Sequence, residues 1–180
     1  MDCIIDVISL TEYYKISERL RKNGFKQSPE DSVICRWRID GVILDIMPTD
    51  EKILGFGNQW YQDAIQQSMQ IELDTGTKIN IVTAAYFLAT KLEAFKTRGN
   101  NDFLASHYFE DIIGVIDGRV EIAEEVLQSP SNVRDYLSNN IAEIIQKAQF
   151  LEALPGHLNY GAVTNERVQI VLEKLRKIVG

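Results

Sequence analysis

Cysteine is scarce in this chain. Cys3 and Cys35 are the two among 180 residues, and no Cys-x-x-Cys or Cys/His spacing accompanies them. Zinc is therefore not expected. Both cysteines sit in apolar, strand-like runs and are read as buried, reduced thiols. Long apolar runs are missing too. Nothing approaches the roughly 18 residues that a membrane span needs, and no basic stretch followed by an apolar one opens the chain. No membrane segment and no signal peptide is predicted, and the expected location is the cytoplasm. Basic residues are in deficit: 19 Lys and Arg stand against 26 Asp and Glu, a net charge of −7. Such a balance argues against nonspecific nucleic-acid binding, which needs a basic face. There is no Gly-x-x-x-x-Gly-Lys-Ser/Thr loop, no Gly-x-Gly-x-x-Gly turn and no Gly-x-Ser-x-Gly elbow. These absences remove P-loop, dinucleotide-binding and hydrolase-triad readings. His107 and His157 are isolated and read as surface or cap residues. No internal repeat or low-complexity segment is present.

What is present is an ordinary globular composition, 45% apolar and 25% charged, in a length that suits one domain or one with a small appendage. The clearest local signal is a hairpin. Ile34 to Ile39 and Val42 to Met47 flank Asp40-Gly41, the pair favoured where two central turn residues need positive φ. Asp45 lies inside the second of these apolar runs. A lone carboxylate is costly to bury unless a partner or a metal ion meets it.

The first run, Cys3 to Ile8, is β-branched almost from the first residue, so a strand is expected with no lead-in, as in a clipped chain or one whose start lies further upstream. Thr11 is expected to cap a helix from Glu12 to Lys22, stopped by Asn23-Gly24. A polar loop, Ser28 to Ser32, leads to the hairpin. Thr49-Asp50 signals a single helical turn, Gln59 to Gln67 a short helix, and Met69 to Leu73 with Lys78 to Val82 a second hairpin. From Thr83 the apolar period becomes 3.6. Helices are predicted from Thr83 to Arg98, from Ser106 to Val115, from Val120 to Leu127, from Ser131 to Ala153, and from a Thr164 cap onward. Strands before helices favour an α+β architecture over a doubly wound one. The division expected is a β-rich core over 1–82 and a helical portion over 83–180.

Asp2 and Asp45 are acids in apolar strands. If those strands are neighbours, their carboxylates converge at one edge, and such pairs bind Mg²⁺. The competing reading makes Asp2 a terminal residue and Asp45 a solvent-facing one. Asp6 is too far along its strand, about 13 Å from Asp2, to share an ion. Lys91 and Arg98 lie about 20° apart around one helix, two turns along it. They are suited to clamp a polyphosphate, or else form a solvated flank. Asp102 is placed to anchor Arg98, Ser106 to cap its helix, and Asp111 to orient Lys91 or Arg98.

In order, the blocks Asp2-Cys3-Ile4-Ile5-Asp6-Val7, Asn23-Gly24-Phe25, Cys35-Arg36-Trp37, Leu44-Asp45-Ile46-Met47-Pro48 and Leu54-Gly55-Phe56-Gly57-Asn58-Gln59-Trp60-Tyr61 precede Ala89-Thr90-Lys91-Leu92-Glu93-Ala94-Phe95, Arg98, Asp102, Ser106 and Glu110-Asp111. This set resembles the nucleotidyltransferase-fold proteins grouped with the AbiEii/AbiGii abortive-infection toxins, within the DNA polymerase β-like superfamily. The resemblance covers about residues 1–120 and implies a mixed sheet flanked by helices, followed by a helical region. It implies Asp2 and Asp45 as ligands of Mg²⁺, or of Mn²⁺ in its place. It further implies Asp45, Lys91 and Asp111 as catalytic residues, and Lys91, Arg98, Asp102 and Ser106 as substrate-binding ones. The implied reaction moves a nucleoside monophosphate from an NTP to an acceptor, RNA or protein, in a toxin–antitoxin or phage-defence setting with a cognate antitoxin. The family's Gly-Ser turn and the first acid of its Asp-x-Asp strand would fall before Met1, and Tyr108 stands where the pattern leads one to expect an acid. The alternatives are a catalytically incomplete member that binds a nucleotide or a partner, and a helical adaptor in which Asp45 and Lys91 are ordinary ion-pair residues.

Overall fold

The structure is a computed structural model that describes residues 2–7, 9–28, 34–158 and 165–180. It is a mixed α+β protein that divides into two compact units, Met1–Gln67 and Ser68–Gly180. The second hairpin thereby groups with the helices that follow it, not with the strands before it. The Thr164 cap and most of the Ser28 to Ser32 loop lie outside the described residues.

In the first unit, β1 (Asp2–Ile5), α1 (Leu10–Lys22), β2 (Arg36–Ile39), β3 (Val42–Pro48), α2 (Glu51–Leu54) and α3 (Tyr61–Gln66) follow in order. The sheet order is β1-β3-β2, with β1 parallel and β2 antiparallel to the central β3. The Asp40-Gly41 turn forms as its residues require: φ is 46° at Asp40 and 81° at Gly41. α1 starts a little before Thr11. Ser9 is its cap, accepting from Glu12 N at 3.2 Å.

Alternation along the strands gives the sheet two faces. Trp37, Leu44 and Ile46 face α1 and bury with Val7, Tyr13 and Ile53. Cys35, Met47 and Tyr61 form a second cluster, joined by Ile4 and Phe56. Asp45 alternates with Leu44 and Ile46, and so belongs to the face opposite α1. Cys35 is buried as expected, but Cys3 is exposed. The reason is that β1 is an edge strand, covered on one side only by β3.

In the second unit, the hairpin of β4 (Met69–Glu72) and β5 (Lys78–Ile81) precedes a helical assembly. Its helices are α4 (Ala84–Thr97), α5 (His107–Gly118), α6 (Ile122–Leu127), α7 (Ser131–Ile144), α8 (Ala148–Ala153) and α9 (Asn165–Val179), with a 3₁₀ turn at Leu154–His157. α4 packs on α5, α6 and α7, and α9 on α5, α6 and α7. Phe109 sits amid the rings of Phe95, Phe103 and Phe150, 5.0 to 5.9 Å away centre to centre. The long helix expected from Ser131 to Ala153 is in fact two. The break at 145–147 rephases the chain so that Phe150, fully buried, turns inward, while Leu151 is 48% exposed. No Gly or Pro marks that break; tertiary packing of a large ring decides it. Among the described residues no helix is long and apolar enough to cross a membrane.

Candidate functional site

The first candidate region is a row of three charged residues across the sheet of the first unit. A two-residue turn pairs Ile39 with Val42 and thereby places Arg36 opposite Asp45. The parallel pairing of β1 places Asp2 opposite Asp45 from the other side. Residues in register on neighbouring strands share a face, about 4.8 Å apart. The row therefore reads Arg36, Asp45, Asp2, with the acid of the central strand in the middle. Arg36 Nε donates to Asp45 Oδ1 at 2.8 Å and Nη2 to Oδ2 at 2.7 Å. The Asp45 side chain is 16% exposed and that of Arg36 36%. This two-pronged match is the strongest form of a guanidinium–carboxylate pair. The Cys35 thiol beside the row is pushed up, first by burial and then by Asp45, with a further contribution from Asp2.

The second candidate region lies in the second unit. Lys91 Nζ, on α4, meets Asp111 Oδ2, on α5, at 2.7 Å. It also lies 5.4 Å from the centre of the Phe87 ring. At the C-cap of α4, Arg98 Nε donates to Tyr108 Oη at 3.2 Å, and its guanidinium stands over the Tyr108 ring. A tyrosine at this position thus supplies both a plane and an acceptor for the arginine. Asp102 does not anchor Arg98. Its Oδ1 accepts from the backbone N–H of Leu104 and Ala105 at 2.9 and 3.0 Å. Those two bonds, Ala105's first, hold its carboxyl below the usual range. Ser106 is the N-cap residue of α5, but its hydroxyl makes no capping bond and is buried without a partner. Gly99 explains the crowding, since a Cβ there would stand 2.6 Å from Ser106 Oγ and 2.8 Å from the Phe95 carbonyl oxygen.

Whether these residues suit a divalent ion is decided by the donor set. Among the described residues no group of three or more His, Cys, Asp or Glu side chains converges. Mg²⁺ is commonly held by one or two carboxylates and completes its shell with water and phosphate; here both Asp45 oxygens already accept from Arg36, so an ion would have to displace or share that pair. Zinc or copper would want nitrogen or sulfur, and the row offers neither apart from the buried Cys35, whereas Mn²⁺ shares the oxygen preference of Mg²⁺. Arg36 is the residue that reading the sequence missed. Its signal was available, because a two-residue turn after Ile39 fixes which residue faces Asp45.

Comparison of the chain with protein-family models, with curated proteins and with solved structures finds no match. The class defined by the structure is thus a mixed α+β protein with a paired-carboxylate row on its first sheet.

Proposed function

We propose that the protein is a cytoplasmic nucleotidyltransferase that uses Mg²⁺, or Mn²⁺ in its place, and acts in a toxin–antitoxin or phage-defence setting. The observation that carries this reading is the in-register placement of Asp2 beside Asp45 on parallel neighbouring strands. Two carboxylates side by side favour a cation between them, a need that Arg36 already meets in part at Asp45. In the reaction, an oxygen of the acceptor, RNA or protein, forms a bond to the α-phosphorus of an NTP. The bond to pyrophosphate breaks, and the acceptor's proton leaves to solvent. Asp2 and Asp45 would hold the ion, whose contribution when bound is to neutralise the triphosphate. Within the second unit, taken by itself, Lys91 and Arg98 are the proposed phosphate-binding residues, with Asp111 orienting Lys91 and Asp102 and Ser106 in the turn that follows Arg98. Phosphoryl-type transfer needs mainly positioning and charge stabilisation, which such residues supply.

Asp45→Asn tests the proposal directly. Calorimetry with Mg·ATP and Mg·GTP is expected to show binding to the native chain and none to the variant. Equal binding by both would sink the site. Lys91→Ala is expected to weaken triphosphate binding more than monophosphate binding, and equal losses would remove that role.

A second reading is favoured by the ion pairs themselves. Asp45 and Lys91 each have a full counter-charge within 2.7 Å, which suits a helical adaptor in which they are ordinary ion-pair residues and is compatible with a catalytically incomplete member that binds a nucleotide or a partner such as an antitoxin. Nucleotide binding without release of pyrophosphate, over any acceptor tried, would select the incomplete member.

A further inference from the structure

We propose that the outer edge of β4 is a self-association surface, at which two copies of the chain join their hairpins into one four-stranded antiparallel sheet. The proposal is independent of the nucleotide reading. Among the described residues β4 and β5 form a sheet of two strands, and a lone hairpin is marginal in water without a third strand or a helix on it. The register sets Met69 against Ile81 and Ile71 against Ile79, and beyond them Leu73 N donates to the Thr77 carbonyl at 2.9 Å. Alternation therefore gathers Met69, Ile71, Leu73, Ile79 and Ile81 on one face and Gln70, Glu72, Lys78 and Asn80 on the other. That is the pattern of a half-buried sheet. Four of the five apolar side chains are nonetheless exposed. Exposure is greatest on the β4 arm, 52% at Met69 and 41% at Leu73, against 37% at Ile79 and 36% at Ile81.

The backbone shows what the edge offers. The Leu73–Thr77 bond makes that pair a hydrogen-bonded one, so Ile71–Ile79 and Met69–Ile81 are bonded pairs too, and Gln70 and Glu72 alternate with them. The N–H and C=O of Gln70 and Glu72 therefore point away from β5, along the outer edge. β4 carries neither proline nor lysine, the usual protections of an open edge, whereas β5 carries Lys78.

Charge and packing select a second copy of the same strand. With β4 antiparallel to its counterpart about a two-fold axis at Ile71, Gln70 faces the partner's Glu72 and Glu72 the partner's Gln70. A side-chain amide thus meets a carboxylate twice, and no like charges are opposed. Across the joined sheet that row reads Asn80, Gln70, the partner's Glu72 and the partner's Lys78. On the apolar face Ile71 meets its own counterpart on the axis, and Met69 meets the partner's Leu73 on either side. The same operation at β5 would set Ile79 against itself but Ile81 against Thr77. An anionic lipid surface fits less well, because the hairpin has one cation, Lys78, against Glu72 and Asp74. Two four-residue edges bury less than the roughly 1,200 to 2,000 Å² of a standard interface. The dimer is therefore weak, with a dissociation constant on the order of 100 μM.

Sedimentation velocity of the full chain from about 10 μM to about 1 mM brackets that affinity. The native chain is expected to pass from monomer to dimer. Gln70→Pro removes an N–H that points out of the hairpin and none that holds it. It is expected to weaken the dimer at least about tenfold, because two symmetric bonds are lost. Asn80→Pro does the same to the β5 edge and is expected to leave the dimer within about threefold of native. Cross-linking checks the register. In a Cys3→Ser background, Ile71→Cys is expected to give a disulfide-linked dimer under mild oxidation, since residues of a non-hydrogen-bonded pair lie about 4.5 Å apart at Cα. Ile79→Cys, about 14 Å from its counterpart across both β4 strands, is expected to give none.

A native chain that stays monomeric throughout the range overturns the proposal, and so does a dimer that Gln70→Pro leaves intact. A dimer lost only in Asn80→Pro moves the interface to β5 and overturns it as well. Protection of the Gln70 and Glu72 amides from hydrogen exchange only on adding phosphatidylcholine vesicles would give the face to lipid, with the same consequence. If either proline variant does not fold, as judged by circular dichroism, the contrast between Ile71→Cys and Ile79→Cys decides alone.

Discussion

Asp45 in the first unit and Asp117 in the second are a matched pair with different surroundings. Each is an aspartate about one-sixth exposed that meets an arginine through two N–H···O bonds. Asp117 sits at the C-terminal end of α5, where a negative charge opposes the helix dipole. Two cations of α9 offset it. Arg167 pairs with its carboxylate, and Lys174 Nζ donates to the carbonyls of Ile116 and Asp117 at 2.8 and 2.9 Å. The whole arrangement ties one helix to another. Asp45 sits mid-strand with a second acid in register beside it. Its arginine is the more exposed partner and ties two residues that the hairpin already holds together. A carboxylate that latches two helices is explained by the fold. One that is neutralised locally beside another carboxylate is not, and this is why the first is read as architecture and the second as chemistry.

The comparison breaks most easily at the aromatic core of the second unit. If the second unit is held by its aromatic cluster and the charges only latch it, Phe109→Ala must cost more than any charge change. Removing a fully enclosed ring from a packed core costs about 3–5 kcal/mol, and Phe109 is 1% exposed. Urea denaturation is expected to show a loss of that size. A loss under about 1 kcal/mol would mean that the cluster relaxes around the gap and that the latch carries more than assumed.

Asp117→Asn should come next, at about 2 kcal/mol, because it strands Arg167 and Lys174 against a helix end. Asp45→Asn is expected to cost less than about 1 kcal/mol, since Arg36 can turn to water. In ligand binding the order is expected to reverse: Asp45→Asn loses Mg·NTP and Asp117→Asn keeps it. Acid adds a second check. The hydrogen bond from Arg167 holds the Asp117 carboxyl below the usual range. A depressed carboxyl contributes stability that is present above the unfolded value, near 4, and is lost as pH falls through the folded one. The native chain is therefore expected to lose stability below about pH 4 more steeply than Asp117→Asn. Parallel acid limbs would mean that Asp117 is not latched.

Much of the fold was legible because local chemistry decided it. Asp40-Gly41 fixed a turn, Gly24 and Gly99 ended helices, and the change of period at Thr83 separated strands from helices. What was not legible depended on partners distant in sequence. Nothing in Ile145-Gln146-Lys147 announces a break, which follows from burying Phe150. Ser106 reads as a capping serine, yet close approach to Gly99 leaves its hydroxyl uncapped and unpartnered. For the candidate site, the neighbourhood of Asp2 and Asp45 followed from supposing their strands adjacent, while Asp111 was legible only as a partner of Lys91 or Arg98, and helix packing selects Lys91. The Arg36–Asp45 pair depends on strand register, which the two-residue Asp40-Gly41 turn sets.

The smallest effect sharpens the comparison at the opposite end of the pH scale. Tyr13 of α1 is 2% exposed in the core of the first unit, and its hydroxyl donates to the Ile46 carbonyl at 3.3 Å. Burial pushes its phenol up to about 12, helped by Cys35 and Asp45 and opposed by the nearby Trp37 N–H. The sign follows from which state holds the proton longer. Above the unfolded value near 10 the unfolded chain releases it first, so Tyr13 contributes stability that is complete below about pH 10 and is lost as pH rises toward 12. Lys174 in the second unit gives the opposite slope. Burial holds its ammonium below the usual lysine range, so the folded chain sheds that proton first and gains stability as pH rises. Tyr13→Phe is expected to cost about 1 kcal/mol at neutral pH, the worth of one hydrogen bond. It is expected to flatten the alkaline loss of the first unit, so that the native advantage shrinks between pH 10 and 12. Urea midpoints across that range, read beside phenolate absorbance, measure it. A constant gap between the two chains at every pH would show that the Tyr13 hydroxyl does not titrate with folding, and would leave only the acid limb of Asp117 to tell the units apart.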